Sequence, residues 1–154
     1  MLQMFLQRQV LLQLAWVLNT HLLESLTRIS FSEWGALLLN QEVLSIVRTF
    51  DDACDESYFK SSIGSKKSQS SVQNYPVLCS IKEAFAPLTW ALKILTLDQP
   101  ADVKRYIIPM SVTGAGLSDS ASPGLLTESK IRRIMANRTE FHRDAVQNVK
   151  ISMK

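Results

Sequence analysis

The chain has 154 residues and a mass of 17.3 kDa, which is one domain with room for a core and too little for a multidomain enzyme. Hydrophobic residues make up 46% and charged residues 20%, which excludes a disordered, collagen-like or disulfide-framework chain, and five glycines argue against a loop-dense all-β fold. The net charge, 17 − 14 = +3, is too small for a dedicated nucleic-acid binder; it is also uneven, since residues 1–60 carry four basic and seven acidic groups and residues 61–154 carry thirteen and seven.

The first 23 residues are oily, but Gln3, Gln7, Arg8, Gln9, Gln13, Asn19 and His21 interrupt them, so no apolar run approaches the ~20 residues of a membrane span. The longest run, Leu14 to Leu18, is also too short for the apolar region of a signal peptide. Leu6, Val10, Leu14, Val17, His21 and Leu22 recur at helical steps and predict the core-facing side of a first helix over 2–28. This helix begins a soluble protein, or begins partway through a longer one. The spacing Ser30-Phe31-Ser32-Glu33 predicts a capping box that opens a second helix. That helix should bury Trp34, Leu37, Leu38, Leu44, Val47 and Phe50 against the first and be followed by a solvated acidic turn, Asp51, Asp52, Asp55 and Glu56. The acidic turn lacks the alternation and glycine of a calcium loop.

Lys60 to Asn74 holds six serines, three lysines and a glycine, which predicts a mobile surface loop. A third helix starts at Pro76 and carries Val77, Leu78, Ile81, Phe85, Leu88, Leu92 and Leu95 inward. Pro87 should kink it near 84–87, because the ring lacks an N–H and collides with the carbonyl four residues back. Asp98 is the expected cap of a short fourth helix bearing Val103, Tyr106 and Ile107 and ended by Pro109. A second flexible loop spans 109–124. Thr127 then caps a fifth helix with Ile131, Ile134 and Met135 inward and Lys130, Arg132, Arg133 and Arg138 mainly outward, followed by a short helix over 143–149. The predicted fold is all-α: one domain over 1–154, an elongated bundle of five or six helices with two long mobile loops.

Little in this pattern carries reaction chemistry. His21 and His142 stand outside any nucleophile motif, and Cys54 and Cys79 lie 25 positions apart without a CxxC pair, so zinc lacks a ligand set. Two reduced thiols are the favoured reading of the cysteines, with a disulfide as the alternative. Thr113-Gly114-Ala115-Gly116 lacks the Gly-Lys-Ser/Thr and the preceding strand of a phosphate loop. Asn137-Arg138-Thr139 fits the glycosylation pattern but no secretory route accompanies it. The suggestive feature is charge: residues 127–154 hold seven basic and three acidic groups, several of the basic ones on a helix with an apolar stripe. Lys130, Arg132, Arg133, Arg138 and Arg143 form the candidate interaction surface, for an acidic partner helix or for anionic headgroups. Phe141 is the one aromatic residue among them, which gives base stacking little support.

Three segments in order, Phe31-Ser32-Glu33-Trp34-Gly35-Ala36-Leu37, Ile81-Lys82-Glu83-Ala84-Phe85-Ala86-Pro87-Leu88 with Ile94-Leu95-Thr96-Leu97-Asp98, and Leu126 through Phe141, resemble the extreme C-terminal domain of the fourth subunit of the conserved oligomeric Golgi complex. The resemblance covers about residues 30–154. It implies a helical-rod tethering protein, peripheral on the cytosolic face of the Golgi membrane, that works by binding and uses no cofactor. The implied partners are other subunits of the tether and, through the larger complex, the SNARE machinery of retrograde intra-Golgi traffic. The sequence departs from that family in the serine-rich insertion 60–74, in the long loop before Gly124, and at Pro87, where relatives carry arginine. A reading of another class is a free-standing peripheral membrane protein that binds anionic lipid through its basic C-terminal helix.

Overall fold

The computed structural model describes residues 2–62, 81–106 and 125–151, the side chains of 2–5 and 55–62 excepted. Among them the chain is helical with no strand, a bundle of α1 (Leu2–Leu26), α2 (Glu33–Ser62), α3 (Ile81–Ala84), α4 (Ala86–Leu95), a 3-10 turn at Pro100–Val103, α5 (Glu128–Ala136) and α6 (Arg143–Gln147). The predicted loop over 60–74 is helical at 60–62, where α2 continues; its remainder, the predicted helix start at Pro76 with Val77 and Leu78, Ile107 and the predicted stop at Pro109, the loop over 109–124 and Cys79 lie outside the described residues.

The bundle is built around α4. Its Pro87, Leu88, Ala91, Leu92, Ile94 and Leu95 are buried on nearly every side, and it touches α1, α2, α3 and α5. A helix with so wide an apolar face, Lys93 being its one exposed residue, needs such a surround. The predicted kink is present: the third helix is broken at Phe85 into α3 and α4, with Pro87 just inside the new start. The break frees the Leu88 N–H from the helix ladder, and the buried Asn19 of α1 accepts it through Oδ1 at 3.1 Å. Phe85 stays in the core and meets Phe50 of α2 edge-on, ring centroids 5.5 Å apart.

The face that α1 buries differs from the predicted one. Ala15, Asn19, Leu23 and Leu26 point inward, whereas Leu6, Val10, Leu14, Val17 and His21 are exposed and Leu22 is half-buried. Apolar residues occupy both faces of α1, so periodicity selects two stripes; the inward one contains the small Ala15 and the acceptor that Leu88 needs. In α2 the same correction applies: Ala36, Val43, Val47 and Cys54 are buried, Phe50 is half-buried, and Trp34, Leu37, Leu38 and Leu44 are exposed.

Two caps and one boundary also differ. Helix α2 opens at Ser32, whose Oγ accepts the Gly35 N–H at 3.2 Å, because Phe31 is held extended by its backbone bonds to Asn137 and Thr139 and cannot enter a helical turn. Glu33 therefore makes no capping box with Ser30. The cap of the 3-10 turn is Gln99 with no side-chain bond, in place of Asp98. Helix α2 continues to Ser62, so Asp51 and Asp52 sit within a helix, and Asp51 pairs with Lys82 of α3 at 3.0 Å.

Replacing Asn19 with Leu should lower the unfolding free energy by about 1–3 kcal/mol, the cost of leaving the Leu88 N–H unpaired in the core. Adding Pro87→Ala to that variant should recover part of the loss by letting the ladder re-form. Urea unfolding of the two single variants and the double variant measures the coupling.

Candidate functional site

The candidate surface is the C-terminal basic segment, and its geometry starts at Thr127. The hydroxyl of Thr127 accepts the Lys130 N–H at 3.2 Å and begins α5 as predicted, with Ile131, Ile134 and Met135 fully buried against α4. The basic side chains follow a different rule from the one that periodicity suggests. Helices end with carbonyls that have no partner of their own, and cations and amides are drawn there by hydrogen bonding and by the helix dipole. Three residues of the 132–138 segment serve three such ends.

Arg132, half-buried, donates to Glu128 on its own helix, with Nη2 2.8 Å from Oε1. The same guanidinium donates to the carbonyls of Val146 and Gln147 at 3.2 Å and of Val149 at 2.9 Å, closing the end of α6. Asn137 Nδ2 donates to the Leu26 carbonyl at the end of α1, 2.8 Å away. Arg138 donates through Nη1 to the Leu95 carbonyl at the end of α4. Its Nε is 3.0 Å from Glu140 Oε2, and its guanidinium lies over the Phe141 ring, 4.8 Å from the centroid.

Of the predicted contact residues, Arg138 is a correction: it is 3% exposed and turned into the bundle, because its long guanidinium fork reaches the carbonyl left free at the end of α4. Arg132 is committed to α6, and Lys130 is half-buried with Nζ 3.0 Å from the Leu125 carbonyl. Arg133 and Arg143 remain on the surface. The amide of Asn137, the acceptor position of the glycosylation pattern, is occupied by its bond to Leu26.

Glu140 completes the junction. Its carboxylate accepts the backbone N–H of Glu33 at 3.0 Å, the first free donor of α2, so the cap comes from the other end of the chain. That N–H is the main reason its pKa falls from 4.5 to about 2; partial desolvation opposes the shift, and its own N–H, Arg138 and Thr139 reinforce it. Alternation of polar and apolar residues gives no hint of Asn137 or Glu140 as junction residues; the only signal is their place just past the end of α5.

Elsewhere, an apolar cleft of about 140 Å³ opens between α1, α2 and α4 over Leu26, Val43, Leu88 and Leu92. Among the described residues no group of three or more His, Cys, Asp or Glu side chains is placed to hold a metal ion, and no helix is long and apolar enough to cross a membrane. All nine large apolar side chains exposed among the described residues lie on α1, α2 and the turn between them, from Leu6 to Leu44, with Trp34 the most open at 77%. No family model, no curated protein and no solved structure matches the chain.

Two predictions follow from this geometry. Arg138→Met, which keeps length and loses the donors, should cost about 1–3 kcal/mol by leaving the Leu95 carbonyl unpaired, while Arg133→Glu should change unfolding free energy by no more than about 0.5 kcal/mol; equilibrium denaturation separates them. Because the folded-state pKa of Glu140 is depressed, its contribution is complete above pH 4.5 and is lost as pH falls toward 2. The thermal midpoints of native protein and Glu140→Gln should therefore differ at pH 7 and converge as the pH is lowered through that window.

Proposed function

We propose that the chain is the C-terminal part of a Golgi vesicle-tethering subunit, a protein-binding module that supports retrograde intra-Golgi transport and SNARE-dependent fusion, has no reaction of its own and sits peripherally on the cytosolic face of the membrane. The observation that carries this reading is the set of exposed apolar side chains on α2, Trp34, Leu37, Leu38 and Leu44. Exposed apolar surface of this kind marks contact with other proteins. Support also comes from the segments that carry the family resemblance. Phe31, Leu88, Leu95 and the stretch Asn137 to Glu140 are bonded into one packed unit, so they behave as parts of a single domain.

The contribution of such a module is geometric: a rigid helical end holds partners near one another and raises their effective concentration. The basic face is a smaller part of this than the charge count suggests, since Arg132 and Arg138 serve the fold and Arg133 and Arg143 are the two guanidiniums left for a partner. The same redistribution weakens the lipid-binding alternative, which relies on a broad cationic face.

Affinity purification of the tagged chain from cells should bring down other subunits of the Golgi tether, and Trp34→Asp with Leu38→Asp should reduce their recovery several-fold while leaving circular dichroism unchanged. Recovery of none of those subunits refutes the reading. Salt-sensitive sedimentation with anionic liposomes in its place would favour the lipid-binding alternative.

A further inference from the structure

Helix α1, like helix α4, carries apolar residues on more than one face. The bundle surrounds α4 and covers only one face of α1. On the uncovered face Leu6, Val10, Leu14 and Val17 follow one another at steps of four, four and three, which is one stripe of a helix, and they are 54%, 64%, 51% and 51% exposed. A soluble helix places charges on the side away from its core. Here, between residues 6 and 23, Arg8 is the sole charged side chain, and the exposed polar neighbours of the stripe include the neutral Gln7, Gln9 and Gln13.

We infer that this stripe pairs with the same stripe of a second copy of the chain, antiparallel. Two features favour that occupant over a partner of another kind. The first is shape. Leu and Val alternate along the stripe, and an antiparallel two-fold axis between Val10 and Leu14 sets Leu6 opposite Val17 and Val10 opposite Leu14, so that a large side chain meets a smaller one in every pair. Interdigitation of this sort is what a helix interface requires, and the same patch meets itself, as an isologous contact must. A parallel pair would set Leu against Leu and Val against Val. The second is charge. Glutamine both donates and accepts, so a glutamine rim is complementary to itself, whereas a rim of one sign would repel a second copy and invite an oppositely charged partner.

A leucine or valine side chain carries on the order of 100 Å² of apolar surface. Eight half-exposed side chains therefore remove roughly 400 Å² from water before the glutamine stems are counted, against the ~1,200 Å² at which stable interfaces begin. The pair is accordingly weak and concentration-dependent. The inference goes beyond the tethering reading and does not need it, because the isolated chain is the test sample.

Sedimentation equilibrium of the whole chain from micromolar to millimolar concentration should show reversible monomer–dimer exchange. Val10→Lys and Leu14→Glu should each weaken dimerisation at least tenfold, with helicity by circular dichroism unchanged because both sites are exposed. An equimolar mixture of the two variants should recover a heterodimer, since antiparallel pairing brings Lys at position 10 of one chain against Glu at position 14 of the other. A native chain that stays monomeric at millimolar concentration overturns the inference, as does dimerisation that survives both substitutions. Loss of dimer in each variant without recovery in the mixture overturns the antiparallel register.

Discussion

The ends of three helices depend on one nine-residue helix and the few residues after it. Arg132 closes α6, Asn137 closes α1 and Arg138 closes α4, each by donating to carbonyls that a helix cannot satisfy for itself. Glu140 does the converse at the start of α2 by accepting its free N–H. Around this junction Phe31 is fixed in extended form by bonds of 2.8 and 3.0 Å to Asn137 and Thr139, so the turn between the two long helices is shaped by residues more than a hundred positions away. A long-range constraint of this kind makes the N-terminal hairpin and the C-terminal helices one cooperative unit.

The same junction explains why the charge pattern misleads. Seven cations against three anions over 127–154 suggests a solvated or partner-facing cationic surface, and at Arg133 and Arg143 it is one. Arg138, however, is buried with its charge balanced by Glu140, the Leu95 carbonyl and the face of Phe141. A buried guanidinium is tolerable only when every side of it is occupied, and here the occupants come from α4 and from the turn after α5. Its role is positional: it decides how the end of α4 meets the base of α5.

Much of the architecture was legible because it follows from local rules. Thr127 as a cap, Ile131, Ile134 and Met135 as a core face, and the break at Pro87 each depend on a few neighbouring residues, and each is present. What could not be read depends on distant ones. The cap of α2 moved from Ser30 to Ser32 because Phe31 is engaged by the far end of the chain. The inward face of α1 is not decided by period because two apolar stripes compete, and the one that is buried brings Asn19 to the N–H that Pro87 releases. Of the predicted basic contact residues, the two that proved structural are those within reach of a helix end, which becomes visible only once the helices are in place.

The proline break and the face that α1 buries are linked through Asn19. Had α4 run straight through residue 87, the Leu88 N–H would stay in its ladder and the buried Asn19 would lose this partner. The kink makes an acceptor necessary in the core, and α1 turns Asn19 inward together with Ala15, Leu23 and Leu26. Leu6, Val10, Leu14 and Val17 lie on the other face of the helix.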